Sequence, residues 1–512
     1  MIKYPFLLLI LDGWGITKPS SGNAITLAKT PVMTELAKTY PYTLLEASGT
    51  FVGLTKNQVG NSEAGHMNLG AGRIIDQDAR IISQSINTGI FFKNIAFINA
   101  INHVKKYKSN LHLIGLLSSH SSPHVDMDHI IGLLELFKIK NVYLHLFTDG
   151  RDSPKFEAIK LIKELKSNFK NGEVIVSIIG RFYAMDRGKN WERTRQAYEL
   201  LTEGKGAPAE DAEAAIVAAY NRGQSDEFIQ PSIIEKNKKP LGLIKDNDAV
   251  VFFNLRSDRA RQLTKVFVQQ EFTEKNLQSF KRNKVIKNLL FVALTEFGPD
   301  LEGVLTAYPS QDISDTLPMI IKNQKQLYLA ETEKYAHVTY FFNGGYADPV
   351  NGEDRLMIKS PILMSYDKKP EMAAFEITDK IIEYLKNKRY DFFVVNFANP
   401  DMVGHTGNLP AGIKAVEAVD QCLNKIIKET LRNNGWLIIT ADHGNIEEMI
   451  NLKTGEIDTE HSTNPVPFIL VNNDLKNKKL KRTGVLGDVA PTILDVLDIN
   501  KPKAMSRKSL LY

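Results

Sequence analysis

Apolar runs of strand length recur along the chain, separated by amphipathic stretches of helical length, and this alternation constrains the fold most. Examples are Phe6–Leu11, Leu111–Leu117, 142–147, 174–179, 249–254, Phe392–Phe397 and Trp436–Thr440. Runs without polar alternation are typical of strands covered on both faces, and the stretches 153–169 and 371–387 between them have a helical pattern. The sequence therefore predicts an α/β protein with largely parallel sheets.

The chain is long for a single core, since it has 512 residues, and two domains are expected. Asp12, after the first strand, resembles in type the acidic and histidine residues that follow residue 400. The middle of the chain instead carries arginines at its strand ends. We therefore predict a discontinuous metal-binding domain formed by residues 1–76 and 311–512, with residues 77–310 inserted as a substrate-binding domain.

Charge and cysteine content exclude several classes of protein. The net charge of +5 is small against 64 basic and 59 acidic residues, so a nucleic-acid partner is not expected. The one cysteine, Cys422, allows no intramolecular disulfide and is expected to be a packed thiol. The apolar run 5–11 is too short to span a bilayer. We expect a cytoplasmic protein that does not bind a membrane.

Two Asp–His pairs follow strands late in the chain. Asp401 and His405 are four apart, which places both on one face of a helical turn. Asp442 and His443 precede Gly444, which permits a tight turn. Taken alone, such a pair is more typical of a turn or a helix cap than of a metal site.

A wider pattern favours metal binding, because six candidate ligands all lie beside strand ends or turns: Asp12, Asp401, His405, Asp442, His443 and His461. Carboxylates with imidazoles suit Mn²⁺ or Zn²⁺, and no thiolate is present to favour zinc. Two ions in such a site clamp the attacking and leaving oxygens of a phosphoryl transfer.

Ser62 lies in a glycine-framed turn that enters a predicted helix. Ser is a favoured N-cap, and on this segment alone a capping role is the better interpretation. A hydroxyl at a helix N-terminus beside a metal is also well placed to attack phosphorus, because the free N–H groups receive the phosphate. Both interpretations of Ser62 remain open at this point.

Seven motifs resemble those of the cofactor-independent (2,3-bisphosphoglycerate-independent) phosphoglycerate mutases, of the alkaline-phosphatase-like superfamily. They are LDGWG (11–15), GNSEAGH (60–66), DGRD (149–152), GRFYAMDR (180–187), AETEKYAH (330–337), NPDMVGHTG (399–407) and TADHGN (440–445). The similarity extends over essentially the whole chain in the family's order. The metal motifs alone would indicate only the wider superfamily.

The resemblance implies an alkaline-phosphatase-like parallel-sheet domain with a second α/β domain inserted into it. It also implies an isomerase, an intramolecular phosphotransferase of glycolysis and gluconeogenesis, that interconverts 3-phosphoglycerate and 2-phosphoglycerate through phosphoserine at Ser62. Two Mn²⁺ ions are implied, other divalent ions being possible, and a monomer is expected. One ion would be held by Asp12, Ser62, Asp442 and His443, and the other by Asp401, His405 and His461.

Five arginines match substrate-binding positions of the family and lie at or beyond strand ends of the middle domain: Arg151, Arg181, Arg187, Arg256 and Arg259. Guanidinium forks bind carboxylate and phosphate bidentately. Singly, each could be an ordinary surface arginine. Asp152 is expected to bind the glycerate hydroxyls or orient an arginine, and to help deprotonate the 2-hydroxyl. Lys334 is expected to neutralise the phosphoryl group in transit.

One loop departs from the family pattern. The segment SHSSPHVD (119–126) is one residue longer than the family's loop, and counting back from Asp128 places the functional histidine at His124. His120 competes for this position. Either histidine could hydrogen-bond the phosphate or assist proton transfer.

Two other classes of function remain possible. A metal-dependent phosphatase, or a mutase acting on phosphopentoses, would use the same metal ligands, but a hydrolase has no need to retain a dephosphorylated glycerate. A non-catalytic binding protein with this fold would be expected to have lost some ligands. The presence of Ser62 and of every expected ligand favours the mutase.

Overall fold

The computed structural model describes residues 5–119, 122–298, 300–310, 312–476, 479–481 and 483–511. The described strands are β1 (Phe6–Leu11), β2 (Tyr42–Glu46), β3 (Leu111–Leu117), β4 (Val142–Thr148), β5 (Val174–Gly180), β6 (Ala207–Ala209), β7 (Ser232–Lys236), β8 (Lys239–Pro240), β9 (Ala249–Phe252), β10 (Leu290–Thr295), β11 (Val304–Tyr308), β12 (Gln326–Glu331), β13 (Asp354–Ile358), β14 (Phe392–Phe397), β15 (Trp436–Thr440), β16 (Val466–Val471) and β17 (Thr483–Val485).

The strands are connected by helices of very different lengths. The described α-helices are α1 (Ala24–Leu27), α2 (Pro31–Thr39), α3 (Ser62–Ala71), α4 (Asp78–Asn87), α5 (Ile95–Tyr107), α6 (Met127–Leu136), α7 (Ala158–Lys166), α8 (Arg181–Ala184), α9 (Trp191–Glu203), α10 (Ala212–Asn221), α11 (Ser257–Val268), α12 (Phe272–Lys275), α13 (Leu317–Ile320), α14 (Ala374–Lys386), α15 (Asn399–Gly404), α16 (Leu409–Arg432) and α17 (Val489–Val496).

The chain divides into two compact units. The first is formed by Met1–Gln77 together with Gln311–Tyr512, and the second, the inserted unit, by Asp78–Ser310. The predicted α/β class with one domain inserted into another is confirmed. Within the described residues, no helix has both the length and the apolar character needed to cross a membrane.

The first unit is built on one sheet with the strand order β13-β12-β14-β1-β15-β16-β2-β17. The strands from β13 to β15 are parallel, and β16 runs antiparallel to β15 and to β2. Every residue of β1 and β14 is buried, which is why these strands have continuous apolar sequences. Helices α14 and α16 present buried apolar faces to this core.

The inserted unit has its own sheet, with the strand order β11-β10-β9-β3-β4-β5-β7-β6 and β8 paired to β7. The six strands from β11 to β5 are parallel, and β7 is antiparallel to β5. A separate apolar core surrounds this sheet. In both units, the parallel strands end together at one edge, where ligands of α/β proteins bind.

Candidate functional site

The carboxyl edge of the first unit's sheet gathers residues that are far apart in sequence. Asp12 follows β1, Asp401 lies in the first turn of α15 after β14, and Asp442 follows β15. Because β16 is antiparallel, the segment before it, which contains His461, lies at the edge where its parallel neighbours end. Topology therefore brings both ends of the chain to one site.

Ser62 is the first residue of α3 and is buried. The capping role considered for it is wrong, because Asn61 is the N-cap and its side chain accepts a hydrogen bond from the Ala64 N–H at 2.9 Å. The Ser62 hydroxyl is thereby left for other partners. It lies 2.9 Å from Nε2 of His443 and 3.3 Å from Oδ1 of Asp12.

Lys334 is the third partner of the serine and is itself buried. Its Nζ donates hydrogen bonds to Asp12 Oδ1 at 2.6 Å, Ser62 Oγ at 2.7 Å and Asp401 Oδ2 at 2.7 Å. Burial lowers the pKa of Lys334, but the Asp12, Asp401 and Asp442 carboxylates outweigh it and raise the pKa above its ordinary value. The lysine is therefore a fixed positive charge beside the serine hydroxyl.

Two groups of side chains have donor atoms close enough to bind one ion each. Asp12, Asp442 and His443 form one group, and Asp401, His443 and His461 form the other, with all donor atoms of a group within 4.8 Å of one another. His443 is common to both. His405 lies outside these groups, although its Nε2 is 3.1 Å from that of His461 and 3.4 Å from Asp401 Oδ1.

The chemistry of this cluster fits divalent cations. Its three carboxylates are buried. Among the described residues, Oδ2 of Asp442 has no hydrogen bond of good geometry, although His66 Nδ1 lies 3.2 Å away. Burial and the Asp442 charge raise the pKa of Asp12, but Lys334 and a hydrogen bond with His443 hold it below its ordinary value. Burial likewise raises the pKa of Asp401, but Lys334 and His405 bring it well below. The carboxylates are ionised and can bind metal.

The histidines of the cluster differ in protonation. Burial lowers the pKa of His443, but Asp442 and Asp12 raise it to about 9. Burial and the charge of His443 lower the pKa of His461. His443 must lose its proton to act as a ligand, because only the neutral imidazole has a free lone pair.

The carboxyl edge of the inserted unit carries positive charge instead. His124 lies in the segment after β3, Asp152 follows β4, Arg181 follows β5, and Arg256 and Arg259 follow β9. These four strands are neighbours in the sheet, in the order β9-β3-β4-β5, so their ends converge. The alternative histidine, His120, lies outside the described residues.

Arg181 is the most enclosed arginine of this cluster, with 3% of its side chain exposed. Its Nη1 donates to Asp149 Oδ1 at 2.6 Å and to Asp152 Oδ2 at 2.5 Å. Asp149 also accepts hydrogen bonds from the backbone N–H groups of Arg151 and Asp152. The strand-end carboxylates therefore fix the position of the guanidinium.

The arginines of this cluster shift the pKa values of their neighbours. Burial and the charges of Arg181, Arg256 and Arg259 lower the pKa of His124 to about 3. Burial and the charges of Arg181, Arg187 and Arg151 lower the pKa of Arg259, and Asp258 only partly compensates. His124 is therefore neutral, and its buried Nδ1 has no hydrogen-bond partner among the described residues. A cluster of this kind is suited to binding an anion.

The two remaining arginines lie at the open side of the cluster. Arg187 pairs with Asp258 at 2.7 Å, and Arg151 lies 3.8 Å from Glu227, with more than half of each arginine side chain exposed. Exposed guanidinium groups can change partners when an anionic ligand arrives. The structure thus groups all five predicted arginines at one edge of this sheet.

Comparison with known proteins identifies the family. The chain is 46% identical over 517 residues to the 2,3-bisphosphoglycerate-independent phosphoglycerate mutase of Clostridium novyi (strain NT), and 47% identical over 519 residues to that of Clostridioides difficile (strain 630); each match covers 100% of both proteins. The chain belongs to this family. The metalloenzyme superfamily model also matches residues 4–501.

A solved structure agrees with the assignment to the cofactor-independent phosphoglycerate mutases. The Leishmania mexicana phosphoglycerate mutase, crystallised at low cobalt concentration, is 29% identical, with a TM-score of 0.79 and coverage of 100% of this chain and 98% of that one. The predicted family and the predicted enzyme class, an isomerase, are confirmed. Membership of the metalloenzyme superfamily also agrees with the predicted dependence on a divalent metal.

Several residues that support the mutase site were not predicted. Asn396 donates from Nδ2 to Asp12 Oδ2 at 2.6 Å and lies 3.0 Å from His66 Nε2. His66 Nδ1 in turn lies 2.9 Å from the Ser62 carbonyl oxygen and 3.2 Å from Asp442. One signal was available, because Asn396 is the only polar residue within the apolar strand β14.

Proposed function

We propose that this chain interconverts 3-phosphoglycerate and 2-phosphoglycerate without a bisphosphoglycerate cofactor, by carrying the phosphoryl group on Ser62. The observation that carries the proposal is the environment of the Ser62 hydroxyl. It is buried within hydrogen-bonding distance of His443 and Lys334, at the N-terminus of α3. A role in helix capping alone would not explain why a buried ammonium group and metal-type ligands surround this hydroxyl.

The acidic cluster would hold two divalent ions, which we propose to be Mn²⁺. Asp12, Ser62, Asp442 and His443 would hold one, and Asp401, His405 and His461 the other, with the position of His443 between both groups supporting close ion sites. When bound, such ions act as Lewis acids that lower the pKa of a hydroxyl and neutralise phosphoryl oxygens.

Ser62 and Lys334 have distinct roles in the proposed reaction. The Ser62 hydroxyl loses its proton as Oγ forms a bond to phosphorus. The bond between phosphorus and the glycerate O3 breaks, and O3 takes up one proton, so the total number of protons is unchanged. The Lys334 ammonium, fixed by two carboxylates, stabilises negative charge on the phosphoryl oxygens. The positive end of the α3 dipole, at the helix N-terminus where Ser62 lies, favours the negative charge of the resulting phosphoserine.

The arginine cluster of the inserted unit would retain the dephosphorylated glycerate. Arg181, already oriented by Asp149 and Asp152, would bind the carboxylate, and Arg151, Arg187, Arg256 and Arg259 would supply further positive charge. Retention distinguishes a mutase from a phosphatase, because a hydrolase releases its alcohol product. Reorientation of the bound glycerate then presents its 2-hydroxyl.

Asp152 and His124 are the proposed acid–base residues. The 2-hydroxyl loses its proton to the Asp152 carboxylate as its oxygen attacks the phosphorus of phosphoserine. The bond between phosphorus and Ser62 Oγ breaks, Oγ takes up one proton, and Asp152 gives up the proton that it accepted. The two side chains are 3.8 Å apart, so neutral His124 can hydrogen-bond the same hydroxyl or the phosphate. Asp152 is ion-paired with Arg181, which is consistent with either a proton-accepting or an orienting role.

The finer assignments are part of the same proposal. We propose a monomer in the cytoplasm, with phosphoglycerate as its small-molecule partner and with neither nucleic acid nor membrane among its partners. The family assignment supports the substrate, and the small net charge of +5 supports the absence of a polyanionic partner.

The decisive experiment uses purified protein, 3-phosphoglycerate and Mn²⁺, with no bisphosphoglycerate added. Formation of 2-phosphoglycerate, followed by phosphorus NMR, is expected, with loss of activity on chelation and recovery on adding Mn²⁺. Release of inorganic phosphate without 2-phosphoglycerate would instead establish a phosphatase. Metal analysis of the active protein would identify the ions, and a stoichiometry other than two per chain would contradict the proposed ligand sets.

A further inference from the structure

Glu447 is a buried carboxylate that neither the sequence motifs nor the proposed reaction uses. It follows β15 by seven residues, and 1% of it is exposed. A buried carboxylate is costly unless hydrogen bonds compensate for lost hydration. Its partners therefore indicate why the fold retains it.

Within the described parts of the chain, the carboxylate of Glu447 accepts hydrogen bonds from four donors. Oε2 accepts from the backbone N–H of Gly15 at 3.1 Å and from that of Asn445 at 2.9 Å. Oε1 accepts from the Ser462 hydroxyl in a very short hydrogen bond and from Asn464 Nδ2 at 2.9 Å.

These partners belong to three different loops, and each loop carries candidate metal ligands. Gly15 lies three residues after Asp12, and Asn445 lies two after His443. Ser462 is adjacent to His461. Gly15 is 432 residues from Glu447 in sequence and Ser462 is 15 residues from it, so one carboxylate joins segments that are not neighbours in the chain.

Neighbouring glycines are needed for this arrangement. A Cβ added at Gly15 would lie 2.3 Å from the Glu447 carboxyl carbon, and one at Gly444 would lie 2.4 Å from its Oε1. Both contacts are far below a normal van der Waals separation. The backbone of two ligand loops therefore approaches the carboxylate as closely as glycine permits.

We infer that Glu447 is a positioning residue. It holds the loops that carry Asp12, His443 and His461 in the relative positions that divalent metal binding requires. The inference rests on the proposed metal-dependent function. Residues of this kind, which contact ligand-bearing segments without touching the ion, orient the ligands, and their substitution weakens metal affinity.

The substitution Glu447→Gln tests this with little change in size. Each carboxylate oxygen accepts two hydrogen bonds, so either orientation of the amide places an NH₂ group against two donors. The matched control is Glu448→Gln, which removes the same charge next along the chain. Glu448 is exposed, and its hydrogen bond from Asn464 at 3.1 Å involves neither Gly15 nor Asn445.

Titration of the metal-free proteins with Mn²⁺ by calorimetry is the primary measurement. We expect Glu447→Gln to weaken Mn²⁺ binding by about 10–100-fold, whereas Glu448→Gln binds like the wild type. At saturating Mn²⁺, kcat should recover, and the KM for 3-phosphoglycerate should remain unchanged because the arginines lie in the inserted unit. A purely structural role would lower the unfolding temperature without this metal-dependent rescue.

Unchanged Mn²⁺ affinity in Glu447→Gln, or equal weakening in Glu448→Gln, would overturn the inference. If Glu447→Gln does not fold, as judged by circular dichroism, Ser462→Ala decides, because it removes one donor and leaves the carboxylate. A smaller but measurable weakening is then expected, and wild-type affinity would refute the inference. Absence of Mn²⁺ binding by the wild type would count against the proposed function itself.

Discussion

The two units use the same structural location for opposite charges. At the carboxyl edge of the first unit, three buried carboxylates surround the ammonium group of Lys334. At the corresponding edge of the inserted unit, burial and the charges of Arg181, Arg187 and Arg151 lower the pKa of Arg259. Each cluster carries an excess of one sign, and that excess favours a ligand of the other sign. The first is suited to cations and the second to an anion.

The clusters also differ in how firmly their parts are held. In the first unit, Asp12 and Asp401 are almost fully buried, and each is hydrogen-bonded by neighbouring side chains. In the inserted unit, Arg181 is enclosed, but Arg151 and Arg187 are largely exposed. Transfer chemistry requires fixed groups at phosphorus, whereas a glycerate that must reorient needs partners that can move.

The largest expected effect is that of Ser62→Ala. Removing the proposed nucleophile should lower mutase activity by about 10⁴-fold or more, as for other covalent catalysts. The measurement is 2-phosphoglycerate formation, together with acid-stable labelling of the protein by phosphate-labelled substrate. Appreciable activity in the variant would show that phosphate does not pass through the first unit's serine, and the assignment of chemistry to that unit would fail.

Lys334→Met tests whether the first unit depends on its buried cation. Without metal, the variant removes the ammonium group that both Asp12 and Asp401 contact, and we expect a loss of about 3 kcal/mol in the free energy of unfolding. Urea unfolding in chelator measures this. Lys325→Met, which alters an exposed lysine of the same unit, should change stability little. Equal stability of both variants would contradict the role given to the ammonium.

Arg181→Lys sharpens the contrast between fixed and mobile arginines. Lysine keeps the charge but lacks the planar guanidinium, whose Nη1 contacts both Asp149 and Asp152 and whose other N–H groups are needed for bidentate binding of an anion. We expect kcat/KM to fall by about 10–100-fold, the equivalent of a lost charged hydrogen bond. Arg151→Lys, with 58% of the side chain exposed, should have a smaller effect. The reverse order would show that enclosure does not determine an arginine's contribution.

Acidification should affect the units differently in metal-free protein. In the inserted unit, burial lowers the pKa of His112, His129 and His145. The unfolded chain then binds more protons than the folded one, so stability falls as pH drops below 6.5. A histidine that stays neutral in the folded chain over this range contributes a loss of about 1 kcal/mol between pH 6.5 and 5.5.

The first unit contains histidines shifted in both directions. The pKa of His443 is raised to about 9, so its contribution to stability is complete below pH 6.5 and is lost as the pH rises through 9. The pKa of His337, in contrast, is lowered to about 3 by burial and by the charge of Lys334. Hydrogen exchange at pH 7 and pH 5.5 should therefore show greater loss of protection in the inserted unit. Equal losses would contradict this difference.

Several strands could be predicted because a continuous run of apolar residues is a property of neighbouring positions in the sequence. The runs Phe6–Leu11, Leu111–Leu117 and Trp436–Thr440 coincide with β1, β3 and β15. Strands such as β2 and β11 were not predicted, since they are half-buried or lie near a sheet edge and lack a continuous apolar run. The helices are shorter than predicted. For example, the stretch 153–169 was predicted to be helical, and α7 covers only Ala158–Lys166.

The residues of the candidate site that belong to short sequence motifs could be predicted. Ser62 and the metal-type ligands follow strands or open a helix, so their spacing revealed them. The supporting residues Asn396, His66 and Glu447 were missed because their roles depend on partners tens to hundreds of residues away. A single polar residue in an apolar strand could have indicated only Asn396.

The sequence by itself determined the α/β class, the family and the kinds of side chain available for chemistry, because apolar periodicity and short motifs are properties of neighbouring residues. Only the tertiary structure decided that His443 lies between two ligand groups, that Asn61 rather than Ser62 caps α3, and that Glu447 joins three loops. These depend on strand order and direction, above all on antiparallel β16 returning His461 to the edge where β1 and β15 end.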